Sequence, residues 1–178
     1  QKYKNFIFIP SHYTVDNVID DENYYLYVQN LYSRDVKKQL FEEKKKYERF
    51  VNVIKSIAKD NPEKLFIFRP HPGQSTRKVK EKFGKIPKNL KIIFKYTVTP
   101  WIMACDHYIH SGCTTVFEAI KLNKTISYIS NCDDCDNVWS KIGKKILIKD
   151  LLNKKVILGF QKPAKYPKKF VEKLVKNL

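Results

Sequence analysis

Ten residues, His110 Ser111 Gly112 Cys113 Thr114 Thr115 Val116 Phe117 Glu118 Ala119, place a glycine, two adjacent threonines and a carboxylate where an apolar run ends. Their order predicts the end of a buried strand, a tight turn on Gly112 and the first turn of a helix. A helix start leaves its first backbone N–H groups without acceptors and carries about half a positive charge, so an anion there meets donors and a favourable field together. Gly112 lets a ligand approach the backbone closely. The Thr114 and Thr115 hydroxyls add side-chain hydrogen bonds, and Glu118 falls one turn in, near where a ribose attached to a bound phosphate would lie. A plainer pattern fits the same residues. Thr115 and Glu118 match the S/T-x-x-E capping box, in which two side chains satisfy backbone donors reciprocally.

A second stretch shifts the balance towards a ligand. Leu65 Phe66 Ile67 Phe68 Arg69 Pro70 His71 Pro72 Gly73 is an apolar strand that stops at a cation and a histidine bracketed by prolines. The prolines fix their own φ and push Arg69 and His71 towards extended backbone, so the imidazole is held on a stiffened chain. In open α/β sheets ligands bind beyond the carboxyl ends of the strands. Two strand ends suited to phosphate make Arg69, His71, Gly112, Thr114 and Thr115 the candidate phosphate-binding set. The other candidates are weaker. Ser11 and His12 follow the first predicted strand and face the same crevice if the sheet is parallel, as donor or acceptor contacts or as satisfied loop residues. His107 and His110 lie three apart in a strand, on opposite faces, and cannot converge on one metal ion. Cys132 and Cys135 form a CxxC pair with no second pair to complete a zinc set, so no metal site is expected.

Arg69 Pro70 His71 Pro72, then Thr99 Pro100 Trp101 Ile102 Met103, then the ten residues from His110 to Ala119 together resemble the bacterial surface carbohydrate biosynthesis proteins. These are glycosyltransferases of GT-B type, similar in pattern to the Kdo and polysialic acid transferases that use CMP-sugars and, more distantly, to the CDP-glycerol glycerophosphotransferases. The resemblance spans roughly residues 5–130. It implies that His71 holds the donor's phosphate from one strand end and that Thr114 and Thr115 hold it from the helix start. It implies that the loop from Tyr96 to Thr99 meets the nucleobase. It also implies a donor-binding C-terminal half whose catalytic base lies on an N-terminal domain outside this chain, a glycan or lipid-linked acceptor, and no cofactor beyond the CMP-linked substrate. The expected activity is inverting transfer of a Kdo or nonulosonic acid sugar in capsule or lipopolysaccharide synthesis.

The elements that must position these residues follow from composition and pattern. A chain of 178 residues with 43% hydrophobic content suits one domain with a real core. Residues 1–160 are expected to form a nucleotide-sugar-binding Rossmann-like α/β domain, a parallel sheet with helices on both faces and one half of a GT-B fold. Residues 161–178 are expected to form a basic C-terminal helix or tail. Asn5–Pro10 reads as the first buried strand, Arg34–Asp60 as a long amphipathic helix, and Leu65–Arg69 as the strand that closes a β-α-β unit. A short helix capped by Ser75 and Thr76 and ended by Gly84 comes next, followed by a strand over Leu90–Tyr96. Thr99 is expected to cap a helix with Pro100 at its first position, with Trp101 in the core. His107–His110, Thr125–Ile129 and Lys144–Ile148 complete the sheet, and the tyrosine-rich segment within residues 20–33, with four tyrosines, packs on the first strand.

The charge, 35 basic against 18 acidic residues for a net +17, raises a nucleic-acid reading. The lysines are spread along the chain and far outnumber the arginines, so no specific nucleic-acid partner is expected. The same surface suits peripheral contact with an anionic inner membrane leaflet. With no signal-like or membrane-spanning run in the sequence, the expected location is cytoplasmic. A non-catalytic basic module at a nucleic-acid or membrane surface, and a CDP-glycerol-type transferase domain, remain as alternatives.

Overall fold

Phe6–Pro10 is apolar at every position, which suits a strand covered on both faces. In the computed structural model, which describes residues 6–15, 26, 30, 36–130 and 142–146, it forms β1 at the inside of a parallel sheet. The strands are β1 (Phe6–Pro10), β2 (Leu65–Arg69), β3 (Leu90–Ile92), β4 (His107–His110), β5 (Thr125–Ile129) and β6 (Lys144–Ile146), in the order β3-β2-β1-β4-β5-β6. Every pairing is parallel. This is the doubly wound order in which the direction of winding reverses between β1 and β4, the place where such sheets open a crevice at their carboxyl edge.

Alternation along β1 divides the core. Phe6 and Phe8 face one side with Trp101, Ile102, Tyr108 and Val116; Ile7 and Ile9 face the other with Tyr47, Phe50, Ile54 and Val79. The second side is covered by α1 (Val36–Asp60) and α2 (Thr76–Phe83), the first by α3 (Val98–Ala104) and α4 (Val116–Lys121). The Rossmann-like α/β architecture expected from the sequence is the one found. Trp101 is fully buried, 6.2 and 6.5 Å from the rings of Phe6 and Phe8, and its indole N–H donates to the Lys95 carbonyl at 3.1 Å. The apolar residues of α1 recur at three and four from Tyr47 to Ala58 and are buried. Past its end, the Asn89 amide donates to the carbonyls of Ala58, Asn61 and Lys64 at 2.8, 2.9 and 2.9 Å, fastening the helix exit to the approach to β2.

The sheet's amino edge is also closed by polar bonds. Asp106 accepts the Phe6 N–H at 3.0 Å, and the Lys124 ammonium donates to the carbonyls of Met103 and Cys105 at 2.8 Å each. Burial raises the Asp106 pKa and lowers that of Lys124, each partly offset by the attraction between the two.

Three boundaries differ from expectation. β3 stops at Ile92, not Tyr96. Among the described residues it is an edge strand with β2 as its one partner, and beyond it Tyr96 takes a left-handed φ of 65°. Helix α3 is preceded by Thr97, not Thr99, so Pro100 is its third residue, still within the first turn where a missing N–H removes no helical bond. Ser75 stands before α2 but makes no side-chain cap bond, whereas Gly84 ends that helix as expected, its N–H donating to Lys80 at 2.9 Å with φ 53°. The tyrosine-rich segment, the Cys132–Cys135 pair and the expected tail at 161–178 lie outside the described residues, apart from helical positions at 26 and 30.

Candidate functional site

Because all strands run the same way, the tips of β1, β2 and β4 lie along one edge, beside the reversal point. Pro10 is in register with Arg69, and the Ser11 N–H donates to the Arg69 carbonyl at 2.8 Å, carrying the pairing one residue past the strands. Arg69 braces this edge. Its Nη2 donates to the Tyr96 carbonyl and its Nη1 to the Pro70 carbonyl at 3.3 Å. Burial lowers the pKa of its guanidinium, and the nearby Cys113 sulfur opposes that shift, so the tips of β2 and β4 are within electrostatic reach of each other. The Tyr96 ring is exposed, tilted against Trp101 at 6.2 Å.

His71 and His110 share one local arrangement. In His71-Pro72-Gly73 the Gly73 N–H donates to His71 Nδ1 at 3.1 Å, and in His110-Ser111-Gly112 the Gly112 N–H donates to His110 Nδ1 at 3.3 Å. An Nδ1 that accepts carries no proton, so in each neutral ring the proton sits on Nε2. For His110 that proton goes to the Ile142 carbonyl at 3.1 Å. The ring is fully buried, and burial pushes its pKa down to about 4 despite the Ile142 carbonyl, with His12 adding to the fall. His110 is a structural support for the Gly112 turn. His71 is part-exposed, and its Nε2–H has no acceptor among the described residues. Its backbone is clamped from both sides: the His71 N–H donates to Gln74 Oε1 at 3.0 Å, and the Gln74 N–H donates to the His71 carbonyl at 2.9 Å.

Gly112 has φ 121°, a conformation glycine adopts without strain. The turn after it closes by Val116 N–H to Cys113 carbonyl at 3.1 Å and Phe117 N–H to Thr114 carbonyl at 3.2 Å. The two threonines then part company. Thr115 Oγ1 is turned inward, 2.7 Å from the Tyr108 hydroxyl and 3.0 Å from Cys113 Sγ, while Thr114 is exposed. Of the two predicted hydroxyl contacts, Thr114 is the one open to a ligand. The capping box is not formed: Thr115 is helical and makes no cap bond, and Glu118 Oε2 instead accepts the Thr99 hydroxyl at 2.8 Å. That bond joins the starts of α3 and α4 and leaves Oε1 without a partner among the described residues. Thr99 and Glu118, predicted apart as base and ribose contacts, are thereby brought together.

Ser11 and His12 separate as well. The Ser11 hydroxyl accepts the Tyr13 N–H at 3.2 Å and is buried, a loop-closing role. The His12 ring lies tilted against Tyr13 at 4.2 Å, and burial lowers its pKa against the pull of Glu43, with His71 and Lys46 adding to the fall. His12 therefore lies near both His71 and His110.

Among the described residues, four buried polar atoms at these tips have no hydrogen-bond partner: His12 Nδ1, Arg69 Nε, Gln74 Nε2 and Ser111 Oγ. Thr125 Oγ1, at the far edge, is a further one. Buried polar groups are paired in the great majority of cases, so four at one edge mark a place suited to a polar ligand. Gln74 and Ser111 were not foreseen. Ser111 stood inside the turn the sequence singled out, and Gln74 three residues after His71; neither type signals chemistry until its neighbours are fixed. Among the described residues no group of three or more His, Cys, Asp or Glu could hold a metal ion, and no helix is long and apolar enough to cross a membrane. No family model matches the chain, and a search of curated proteins finds no match.

Proposed function

We propose that this domain grips the nucleotide-sugar donor of a GT-B glycosyltransferase, a CMP-linked sugar used in surface polysaccharide synthesis. The observation that carries the reading is the gathering of open donors at the carboxyl edge beside the reversal of strand order: His71 Nε2–H, the Thr114 hydroxyl and the amides that begin the turn into α4. A phosphate set between the tips of β2 and β4 meets all three. Glu118 Oε1, held by Thr99, is available to a ribose hydroxyl, and the exposed Tyr96 ring borders the place of the base.

In this reading the domain's part in the reaction is electrostatic. As the bond from the sugar to the phosphate breaks, charge grows on the phosphate oxygens, and fixed donors aimed there lower the barrier without reorganising. His71 suits that task through its Nε2–H. The base that activates the acceptor hydroxyl belongs to the other half of the enzyme, working with a glycan or lipid-linked acceptor near the membrane's inner face.

The test is a thermal scan of the full chain with CMP, CDP, UDP and a short RNA at two salt concentrations. CMP is expected to stabilise the fold by about 2.7 kcal/mol at a hundredfold excess over its dissociation constant. Stabilisation by RNA alone, falling steeply with salt, would favour the basic binding module, and a preference for CDP would favour the glycerophosphotransferase class.

A further inference from the structure

From Lys82 to Cys105 the chain carries five lysines and no acidic residue. Lys82 pairs with Glu48 at 3.5 Å. The other four, Lys85, Lys88, Lys91 and Lys95, are exposed and have no ion-pair partner among the described residues. They recur at intervals of three, three and four on a non-helical stretch, so neighbouring Cα atoms lie no more than about 11–14 Å apart. The backbone beneath them is pinned along its length. The Gly84 N–H donates to the Lys80 carbonyl at 2.9 Å, the Asn89 carbonyl accepts the Phe66 N–H at 2.8 Å, the Ile93 N–H donates to the Phe68 carbonyl at 2.9 Å, and the Lys95 carbonyl accepts the Trp101 indole at 3.1 Å. Lys91, in register with Ile67, stands on β3 itself. A lysine on an edge strand discourages pairing with another sheet, which accounts for Lys91 but not for Lys85, Lys88 and Lys95, which lie outside the strand.

We propose that this β3 edge is the face by which the domain docks on an anionic lipid bilayer. The net charge alone permits such contact anywhere on the chain; the acid-free run confines it to one edge. Base recognition draws on bidentate arginine, asparagine and glutamine. Here the cations are all ammonium groups, and the Asn89 amide is spent on three backbone carbonyls. A row of hydrated point charges suits a diffuse anionic surface, where each adds attraction without a fixed geometry. The reversal of strand order lies between β1 and β4, two strands in from β3, so a bilayer laid against this edge leaves the crevice open. The docking face stands whether or not the crevice takes a nucleotide.

The test is co-sedimentation of the full chain with vesicles of phosphatidylcholine alone and of phosphatidylcholine with about one-third phosphatidylglycerol, at low and high salt. Binding is expected to the anionic vesicles only, weakening as salt rises. The triple variant Lys85→Gln, Lys88→Gln, Lys91→Gln should weaken it about 100-fold, at roughly fivefold per lysine. The triple variant Lys37→Gln, Lys59→Gln, Lys121→Gln removes the same charge from exposed positions elsewhere and should weaken it less than about fivefold. Equal loss in the two variants, binding to phosphatidylcholine alone, or a short RNA that displaces the chain from anionic vesicles through Lys85, Lys88 and Lys91 overturns the docking face. Wild-type chain on vesicles with a spin-labelled headgroup gives a reading that needs no variant to fold: amide broadening centred on residues 85–95 is expected, and broadening centred elsewhere overturns the assignment.

Discussion

Protonating His110 should cost this fold stability, and the structure gives the size. The ring is fully buried, accepts the Gly112 N–H through Nδ1 and donates to Ile142 through Nε2. An imidazolium can no longer accept from Gly112. Burial lowers the pKa from 6.5 to about 4, so between those values the unfolded chain holds a proton that the folded chain does not, and acid favours unfolding. The contribution is fully present above about pH 6.5, is lost as pH falls towards 4 and is constant below that. At 1.36 kcal/mol per pH unit, the total is about 3 kcal/mol, of which about 2.5 kcal/mol is gone by pH 4.5. The comparison is between wild type and His110→Asn, whose carbonyl oxygen can still accept the Gly112 N–H but does not titrate. Urea unfolding at pH 7 and pH 4.5 gives four free energies. Asparagine's smaller volume costs the variant a similar amount at both pH values, so the difference of differences isolates the imidazole. Wild type is expected to lose about 2.5 kcal/mol more than the variant across this interval. An equal loss in both proteins would refute the assignment of His110 as a neutral buried support for the Gly112 turn.

Two further outcomes follow from the same geometry. His71→Ala removes an imidazole donor from the carboxyl edge, and a hydrogen bond to a charged group is worth about 1.5–3 kcal/mol, so CMP affinity measured by calorimetry should fall roughly 10- to 150-fold; an unchanged affinity would show that His71 does not touch the ligand. Asn89→Ala leaves the carbonyls of Ala58, Asn61 and Lys64 without their shared donor, and should destabilise the chain by about 2–3 kcal/mol in urea while leaving nucleotide affinity alone; a cost below about 0.5 kcal/mol would mean that water replaces the side chain freely.

The parts of the fold that were legible in the sequence are those set by burial. The all-apolar β1 and the three- and four-residue recurrence in α1 admit few other structures. The edge was less legible, because there tertiary bonds override local pattern. Ile93 and Phe94 have strand-forming side chains, and the Ile93 N–H still donates to the Phe68 carbonyl at 2.9 Å, but Arg69 captures the Tyr96 carbonyl and the chain leaves β2 after that bond. Thr115 and Glu118 have capping-box spacing, yet each finds a partner from a different segment, Tyr108 and Thr99. Arg69, His71, Gly112 and Thr114 could be named from residue type and position at strand ends. Gln74 could not, since its meaning depends on which of its two amide atoms the backbone of His71 claims.

The central claim, that the tips of β2 and β4 close on one nucleotide phosphate, is tested most directly by titrating CMP into the labelled full chain and mapping the amide shifts. Saturable changes centred on His71, Gly73 and the turn from Gly112 to Thr115 are the predicted result. No saturable change with CMP, or changes confined to residues away from that edge, would contradict the account.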